Sequence, residues 1–208
     1  MALLQADNPP DTAPLYLENV DEAARGETAS AMLDTLLEKA GATLDQVTRV
    51  MVTLGPGSFS GLRTGVAFCE GLCFSGKRKL YGVSTLHALA CFAPCPEKAA
   101  VIVRARKGFW YLRKPEGSGE ASGTPTEFFI ETADVLRFLQ EQKVSALVVD
   151  DAALGDEALS ASIASSGAEI VNEKGQPLSR WQVLFDKVQP SLTQEANYIQ
   201  PSYFEKLH

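Results

Sequence analysis

The chain has 208 residues, of which 45% are hydrophobic and 22% are charged. A chain of this length can bury a core as one larger domain or as two small lobes. Its formal net charge of −7 argues against RNA binding by the chain alone, since autonomous RNA-binding domains are usually basic. The sequence has no apolar run of about 18 residues and no signal-peptide pattern, so we expect a cytoplasmic protein that does not contact membranes.

The amino-terminal residues predict two paired strands followed by a helix. A strand over residues 15–18 is expected to pair with an opening strand. An amphipathic helix is expected over residues 27–40 and should end at Gly41. Such a helix ordinarily packs its apolar stripe on a sheet, and the stripe here consists of Ala29, Met32, Leu33, Leu36 and Ala40.

The segment GPGSFSGLRTGVAFCEGL, residues 55–72, joins a glycine-proline turn to a helical pattern. It follows an apolar run at residues 50–54, which predicts strand, turn and helix. Small residues recur at every fourth position, and apolar residues cover most of the remaining circumference. A helix with almost no polar face is normally buried on more than one side, so we expect one side to pack on the chain's own sheet and the other on a partner. The glycine spacing matches neither a dinucleotide fingerprint nor a Walker loop, which makes phosphate binding the weaker alternative.

The remainder of the chain predicts alternating strands and helices. Strands are expected over residues 79–82, 99–105, 109–113, 146–149 and 169–171, the second and third forming a hairpin. Helices are expected over residues 133–140, 157–165 and 181–188, and a mobile loop over residues 115–125. This order suits two α/β lobes, the first containing residues 1–104 and 189–208 and the second residues 105–188.

No catalytic residue is predicted. The two histidines, His87 and His208, cannot build a metal site that needs several imidazoles. Ser58 and Ser60 have no obvious base. The pair Asp150-Asp151 follows a predicted strand, where ligands often bind, but two adjacent acids also commonly begin a turn, which we favour.

The four cysteines occur as two C-x-x-x-C pairs, at residues 69 and 73 and at residues 91 and 95. Zinc sites more typically use C-x-x-C pairs, and disulfide frameworks belong to small secreted chains. We therefore expect buried reduced thiols, with metal binding and redox chemistry as the alternatives.

Basic residues are concentrated in the middle of the chain. Residues 63–114 contain ten Lys and Arg but only two acids, which gives this stretch a charge of +8 against −15 for the rest. Its clusters could face an RNA backbone, an acidic partner or only water. The residues concerned are Lys77, Arg78, Lys79, Arg104, Arg106 and Lys107.

The segment at residues 55–72, with YGVSTLHALA at residues 81–90, closely resembles the signature of the TsaB (YeaZ) family. Weaker resemblances lie at residues 44–47, before the signature strand, at residues 104–108, which are similar to a D-A-R-R-G element, and at residues 196–199. The match is strong over about fifty residues and extends in weaker form over most of the chain.

The resemblance implies an α/β, actin/Hsp70/sugar-kinase-like (ASKHA, ribonuclease H-like) fold with two lobes, the second degenerate, and no active site or cofactor. It implies a TsaD-like catalytic partner, a TsaE-like ATPase in the assembly, and tRNA contact only through the complex, in the threonylcarbamoylation of the adenosine next to the anticodon. The same apolar face could pair with a second copy of the chain when the chain is alone. The implied partner-binding residues are Ala29, Met32, Leu33, Leu36, Phe59, Gly61, Leu62, Gly65, Val66, Cys69, Leu72 and Cys73.

Three positions depart from the family pattern. Asn8-Pro9-Pro10 replaces a D-T-S/T element whose hydroxyls bind phosphate in the wider superfamily, Glu27-Thr28-Ala29 replaces H-S-E, and Arg104 replaces an Asp. Proline offers neither a hydroxyl nor a backbone donor. The alternative function, a free-standing small-molecule kinase or nucleotide hydrolase of the same fold, is disfavoured by this change.

Overall fold

The computed structural model describes residues 2–3, 15–16, 25–115, 126–141 and 143–196. These residues form two compact units. The first contains the described residues up to Ser84 together with 177–196, and the second contains Thr85–Gln176. No helix in these ranges is long and apolar enough to cross a membrane.

The elements follow in chain order. Up to Ser84 they are β1 (Ala2–Leu3), β2 (Leu15–Tyr16), α1 (Arg25–Ala40), β3 (Arg49–Thr53), α2 (Phe59–Cys73) and β4 (Lys79–Val83). The second unit contains α3 (Thr85–Ala90), β5 (Ala99–Arg106), β6 (Phe109–Arg113), β7 (Glu127–Glu131), α4 (Thr132–Glu141), β8 (Ala146–Val149), α5 (Asp151–Leu154), α6 (Glu157–Ser165) and β9 (Glu169–Asn172). A 3-10 helix (Leu178–Val183) and α7 (Leu184–Lys187) belong to the first unit.

In the first unit, α2 packs against a parallel strand pair. Strands β3 and β4 are in register from Arg49 opposite Lys79 to Thr53 opposite Val83, and β1 pairs with β2 antiparallel. Helix α2 contacts both β3 and β4, and α1 contacts α2. The buried side chains of this unit include Leu36, Leu37, Leu62, Val66, Cys73, Leu80, Tyr81, Val83 and Leu184.

The second unit is built on a five-stranded sheet with the order β7-β6-β5-β8-β9. Neighbours among β7, β6 and β5 are antiparallel, whereas β5, β8 and β9 run parallel. Helices α4, α5 and α6 contribute side chains to the core on one face of the sheet, and α3 contacts β5 and β6. Strand β5 is hydrogen-bonded to both β6 and β8, so it belongs wholly to the second unit. The chain passes from the first unit to the second between Ser84 and Thr85, whereas the sequence predicted this boundary between residues 104 and 105. The chain returns to the first unit between Gln176 and Pro177, whereas the sequence predicted this return between residues 188 and 189.

Most predicted elements are present. The pairing of β1 with β2, helices α1 and α2, the β5-β6 hairpin and strands β8 and β9 confirm the sequence patterns. Strand β7 was not predicted, because Phe128, Phe129 and Ile130 are consecutive and show no alternation; the strand has apolar neighbours on both faces of the sheet. The helix expected at 181–188 is mostly the 3-10 helix, with one α-helical turn at Leu184–Lys187. Residues 116–125 of the expected loop and 197–199 lie outside the described residues.

Candidate functional site

Four of the expected partner-binding residues belong to the core of the first unit, which corrects the sequence prediction. Leu36, Leu62, Val66 and Cys73 are all buried, with between 0% and 9% of their surface exposed. These side chains pack inside the unit, so they offer no surface to a partner. The inward face of α2 is therefore explained by its packing on β3 and β4.

The rest of that set is accessible. Phe59 is 58% exposed. The half-buried members are Ala29, Met32, Leu33, Gly61, Gly65, Cys69 and Leu72. A Cβ added at Gly65 would meet no atom within 4 Å beyond the backbone of its own helix. Packing among the described residues therefore does not require glycine at this interior position, although glycine there costs about 1 kcal/mol relative to alanine.

Helix α2 also has an outward face, of which the sequence interpretation named only Phe59. Phe59, Arg63, Ala67, Gly71 and Phe74 follow one another at helical spacing, and all are exposed, Phe74 to 90%. The Arg63 guanidinium lies 5.3 Å from the centroid of the Phe59 ring. This face is exposed in the chain alone, so its burial by a partner stays a prediction; Arg63, one of two charged residues in α2, was the sequence signal for this face.

The cysteines are free thiols, Cys73 and Cys91 buried and Cys69 and Cys95 half-buried. Burial, with smaller contributions from Cys73 and Glu70, raises the pKa of Cys69 to about 12. Burial also raises the pKa of Cys73. A protonated thiol is a poor nucleophile and a poor metal ligand, so this pair is suited to packing.

Arg78 is a structural residue, which corrects its prediction as an RNA- or partner-facing side chain. It is only 7% exposed. Its Nε and Nη2 donate to the carbonyl oxygen of Leu44 at 3.3 and 2.7 Å, and its Nη1 donates to that of Leu72 at 3.1 Å. The last carbonyls of a helix lack helical partners. The guanidinium therefore ties the last turn of α2 to the segment before β3.

The lysines on either side of Arg78 are exposed. Lys77 Nζ lies 3.4 Å from the Asp45 carboxylate. Lys79 begins β4 and forms no ion pair with any residue that the structure describes. Surface lysines of this kind contribute little to stability.

A β-bulge divides the second predicted basic group. The register shifts between Arg104 and Arg106, so that Arg104 is opposite Trp110 and Arg106 is opposite Phe109. Because neighbouring residues of a strand point to opposite faces, the bulge places the two guanidinium groups on opposite faces of the sheet. Arg104 lies 4.7 Å from the Trp110 ring centroid and Arg106 lies 4.3 Å from that of Phe109, while Lys107 is exposed in the turn.

Arg104 is held by its own unit. Its Nη2 donates to the Ala152 carbonyl oxygen at 3.3 Å and lies 3.5 Å from Asp156 Oδ2. Its backbone N–H donates to Asp150 Oδ2 at 2.7 Å. Arg104 therefore fastens β5 to α5 and α6; its side chain is exposed, and its role as an RNA- or partner-facing residue stays a prediction.

The acids at the ends of β8 and β9 act within the fold. Asp150 caps α5, accepting a hydrogen bond from the Ala153 N–H at 2.7 Å, which confirms the turn interpretation. Hydrogen bonds from Asn172 and Lys174 lower the pKa of Asp151. Burial, with Asp150 and Asp151 nearby, raises the pKa of Glu173. No group of three or more metal-ligating side chains occurs within the described ranges.

The hydroxyls in the glycine-rich turn are also used locally. Ser58 Oγ accepts a hydrogen bond from the Gly61 N–H at 3.5 Å as the amino cap of α2, and it lies 3.4 Å from Ser60 Oγ. Capping of this kind satisfies one of the unpaired donors at a helix start. The Ser58 hydroxyl therefore has a structural role as a helix cap.

Comparison with known proteins gives one family. The model of TsaD, the tRNA N6-adenosine threonylcarbamoyltransferase, matches residues 22–171. The tRNA threonylcarbamoyladenosine biosynthesis protein TsaB of Escherichia coli is 27% identical over 115 residues, 53% of this chain and 50% of that protein. The tRNA N6-adenosine threonylcarbamoyltransferase of a Geobacter species is 33% identical over 96 residues, 45% of this chain and 28% of that protein. The matches thus span half or less of these relatives.

Solved structures have the same fold. A Pseudomonas aeruginosa protein described as similar to peptidase YeaZ superposes with a TM-score of 0.63 at 18% identity, covering 96% of this chain and 93% of that one. YeaZ from P. aeruginosa superposes with a TM-score of 0.57 at 19% identity, covering 85% and 83%. The fold is the actin-like ASKHA fold that the sequence motif implies. The chain belongs to the family that the TsaD model describes, and within it to the TsaB (YeaZ) group.

Proposed function

We propose that this chain is a non-catalytic partner subunit that pairs with a TsaD-like catalytic subunit in the biosynthesis of threonylcarbamoyladenosine in tRNA. A TsaE-like ATPase completes the assembly, tRNA is contacted only through the complex, and the chain forms a homodimer when alone. The proposal places the chain in the cytoplasm. Family membership supports a role in this pathway, because the related TsaB and TsaD proteins are both named for threonylcarbamoyl modification of tRNA.

The observation that carries the pairing is the open position at Gly65. A glycine inside a helix is destabilising unless close packing offsets the cost. No described atom beyond its own helix approaches within 4 Å of a Cβ at Gly65. A helix from a second subunit is the packing that would use this space, beside half-buried Leu72, seven residues later on α2, and the adjoining helix α1.

Local use of the candidate chemical groups supports a non-catalytic role. Ser58 caps α2, Asp150 caps α5, and burial raises the pKa of the Cys69 thiol. The Asn8-Pro9-Pro10 sequence lacks the phosphate-binding hydroxyls of the wider superfamily. A free-standing kinase or nucleotide hydrolase is therefore not favoured.

Two matched glycine variants test the pairing. Gly65 and Gly71 both have open space at the Cβ position, but they lie on different sides of α2. Gly65→Leu should overpack the interface by about 1–3 kcal/mol and weaken association with the TsaD-type subunit of the same genome by about 5- to 150-fold. Gly71→Leu adds the same side chain and should leave association unchanged.

Light scattering of the mixed subunits gives the readout, with circular dichroism to establish that both variants fold. Absence of a complex with the wild-type chain would contradict the proposed pairing. Equal association of both variants with the partner would show that the Gly65 side of α2 does not lie in the interface.

A further inference from the structure

Arg106, Phe109 and Phe129 form a stacked cluster on one face of the second unit's sheet, called here the aromatic platform. The Phe109 and Phe129 rings are 5.0 Å apart at the centroids and 5° from parallel. The Arg106 guanidinium lies 4.3 Å from the Phe109 centroid and 5.5 Å from the Phe129 centroid. The two rings are half-buried, and Arg106 is exposed.

Strand geometry builds this platform. Tyr111 is opposite Phe129 in the register of β6 and β7, which brings Phe109 and Phe129 into diagonal contact. Tyr111 is buried, and its ring lies 5.8 Å from that of Phe129 on the same face, so it supports the platform from the side. The bulge before Arg106 turns this guanidinium onto the face of Phe109.

The platform has unused binding capacity. No other described residue forms a hydrogen bond or ion pair with the side chain of Arg106 or of exposed Lys107. Arg104, two residues earlier, instead donates to Ala152 and pairs with Asp156. A guanidinium has five N–H donors and a flat face. Arg106 is therefore fixed in orientation by stacking while its donors remain available to a ligand.

We propose that the aromatic platform binds single-stranded RNA, with an unpaired base stacked on the Arg106 guanidinium and a phosphate bound by Arg106 and Lys107. Unpaired bases stack on aromatic rings and on arginine planes, and cations beside them bind the backbone. An acidic peptide would use the charge but not the stacked plane. This inference rests on the proposed function, whose substrate is tRNA: the platform alone binds only a short single strand at low salt, and tRNA itself is bound through the complex.

The test uses the full chain and a fluorescein-labelled oligo(A) 12-mer, with anisotropy read in about 50 mM salt and above, where phosphate contacts are strong. Arg106→Gln should weaken binding about 10-fold and lower the slope of log affinity against log salt by about 0.7. Phe129→Leu should weaken binding about 10-fold and leave the slope unchanged, because it removes a ring that orients the Arg106 guanidinium for stacking and keeps the charge. Arg137→Gln, the same substitution at an exposed arginine of α4, should bind as the wild type does.

Circular dichroism establishes that each variant folds, and Arg106→Gln decides the question if Phe129→Leu does not fold. Failure of the wild-type chain to bind oligo(A) overturns the proposal, as does equal binding by Arg106→Gln and Arg137→Gln. Binding of poly-L-glutamate as tightly as oligo(A) would also overturn it and assign the platform to an acidic protein partner.

Pairing with the TsaD-type subunit separates this inference from the function on which it rests. The platform variants should pair as the wild-type chain does when measured by light scattering. A wild-type chain that pairs with the TsaD-type subunit but does not bind oligo(A) overturns only the platform. Pairing absent with RNA binding retained overturns only the proposed function.

Discussion

The carboxylate of Asp150 accepts a hydrogen bond from the backbone N–H of Arg104 at 2.7 Å. Its other oxygen accepts from the Ala153 N–H, also at 2.7 Å, as the amino cap of α5. One side chain thus joins the end of β5 to the start of α5. The contact lies at the bulge that separates the Arg104 and Arg106 side chains.

Removal of this carboxylate should destabilise the second unit. Asp150→Ala leaves two backbone donors without their partner, so we expect the free energy of unfolding to fall by about 1–3 kcal/mol. Asp151→Ala is the control. Among the described residues, the exposed Asp151 carboxylate is hydrogen-bonded by the surface side chains of Asn172 and Lys174 alone, so its loss should cost less than about 1 kcal/mol. Urea unfolding followed by circular dichroism measures both. Equal losses for the two variants would show that the Asp150 bridge adds nothing.

The Arg78 guanidinium should be irreplaceable by lysine. Lysine keeps the charge, but a single ammonium lacks the planar fork that spans the carbonyls of Leu44 and Leu72. We expect Arg78→Lys to lower the free energy of unfolding by about 1–3 kcal/mol, and Lys79→Gln, at an exposed position, to change it by less than about 0.5 kcal/mol. Urea midpoints give the comparison. A lysine variant as stable as the wild type would mean that the two carbonyls find water instead.

Glu173 should make stability depend on pH. Its pKa in the folded chain is raised above the usual 4.5 by burial and by two neighbouring acids, so the folded state binds more protons than the unfolded state as pH rises through this range. Stability from this group is therefore present at low pH and is lost as pH rises through the folded pKa. Glu173→Gln should raise Tm near neutral pH, and the gain should vanish below the unfolded pKa. A gain that is independent of pH would rule out the carboxylate as its cause.

The isolated chain should not bind magnesium-ATP. Saturation of a nucleotide site at about 100 times its Kd would stabilise the folded state by about 2.7 kcal/mol, which a thermal shift would detect. Because Asn8-Pro9-Pro10 offers no hydroxyl to a phosphate, we expect no shift. A rise of several degrees would favour the kinase or nucleotide-hydrolase alternative.

The strand-turn-helix at α2 could be predicted from sequence because its cues are local. The apolar run before Gly55, the glycine-proline turn and the helical pattern after it suffice for this element, and the motif led directly to the family. It was harder to predict whether each α2 residue faces the chain's own core or the outside. Leu62 and Val66 looked like interface residues, but only the position of the β3-β4 pair reveals that they are buried by the chain itself.

The surroundings of the basic residues could not be predicted, because they depend on contacts distant in the sequence. Arg104 and Arg106 read as one cluster because an uninterrupted strand places residues two apart on one face. A single bulge reverses this relationship, and nothing in Arg104-Ala105-Arg106 indicates it. The carbonyls that surround Arg78 come from residues 34 and 6 positions away, so its burial was equally out of reach. Phe129 escaped notice because the sequence predicted no strand at β7.

The most direct test of the proposed role is the formation of threonylcarbamoyladenosine itself. Unmodified tRNA, the threonylcarbamoyl donor, the TsaD-type subunit and the TsaE-like ATPase are combined with or without this chain, and the nucleosides are analysed by mass spectrometry. We expect the modified nucleoside when the wild-type chain or Gly71→Leu is added, and little with Gly65→Leu or with no added chain. Equal amounts with and without the chain, or modification by the chain alone, would contradict its role as a non-catalytic partner subunit.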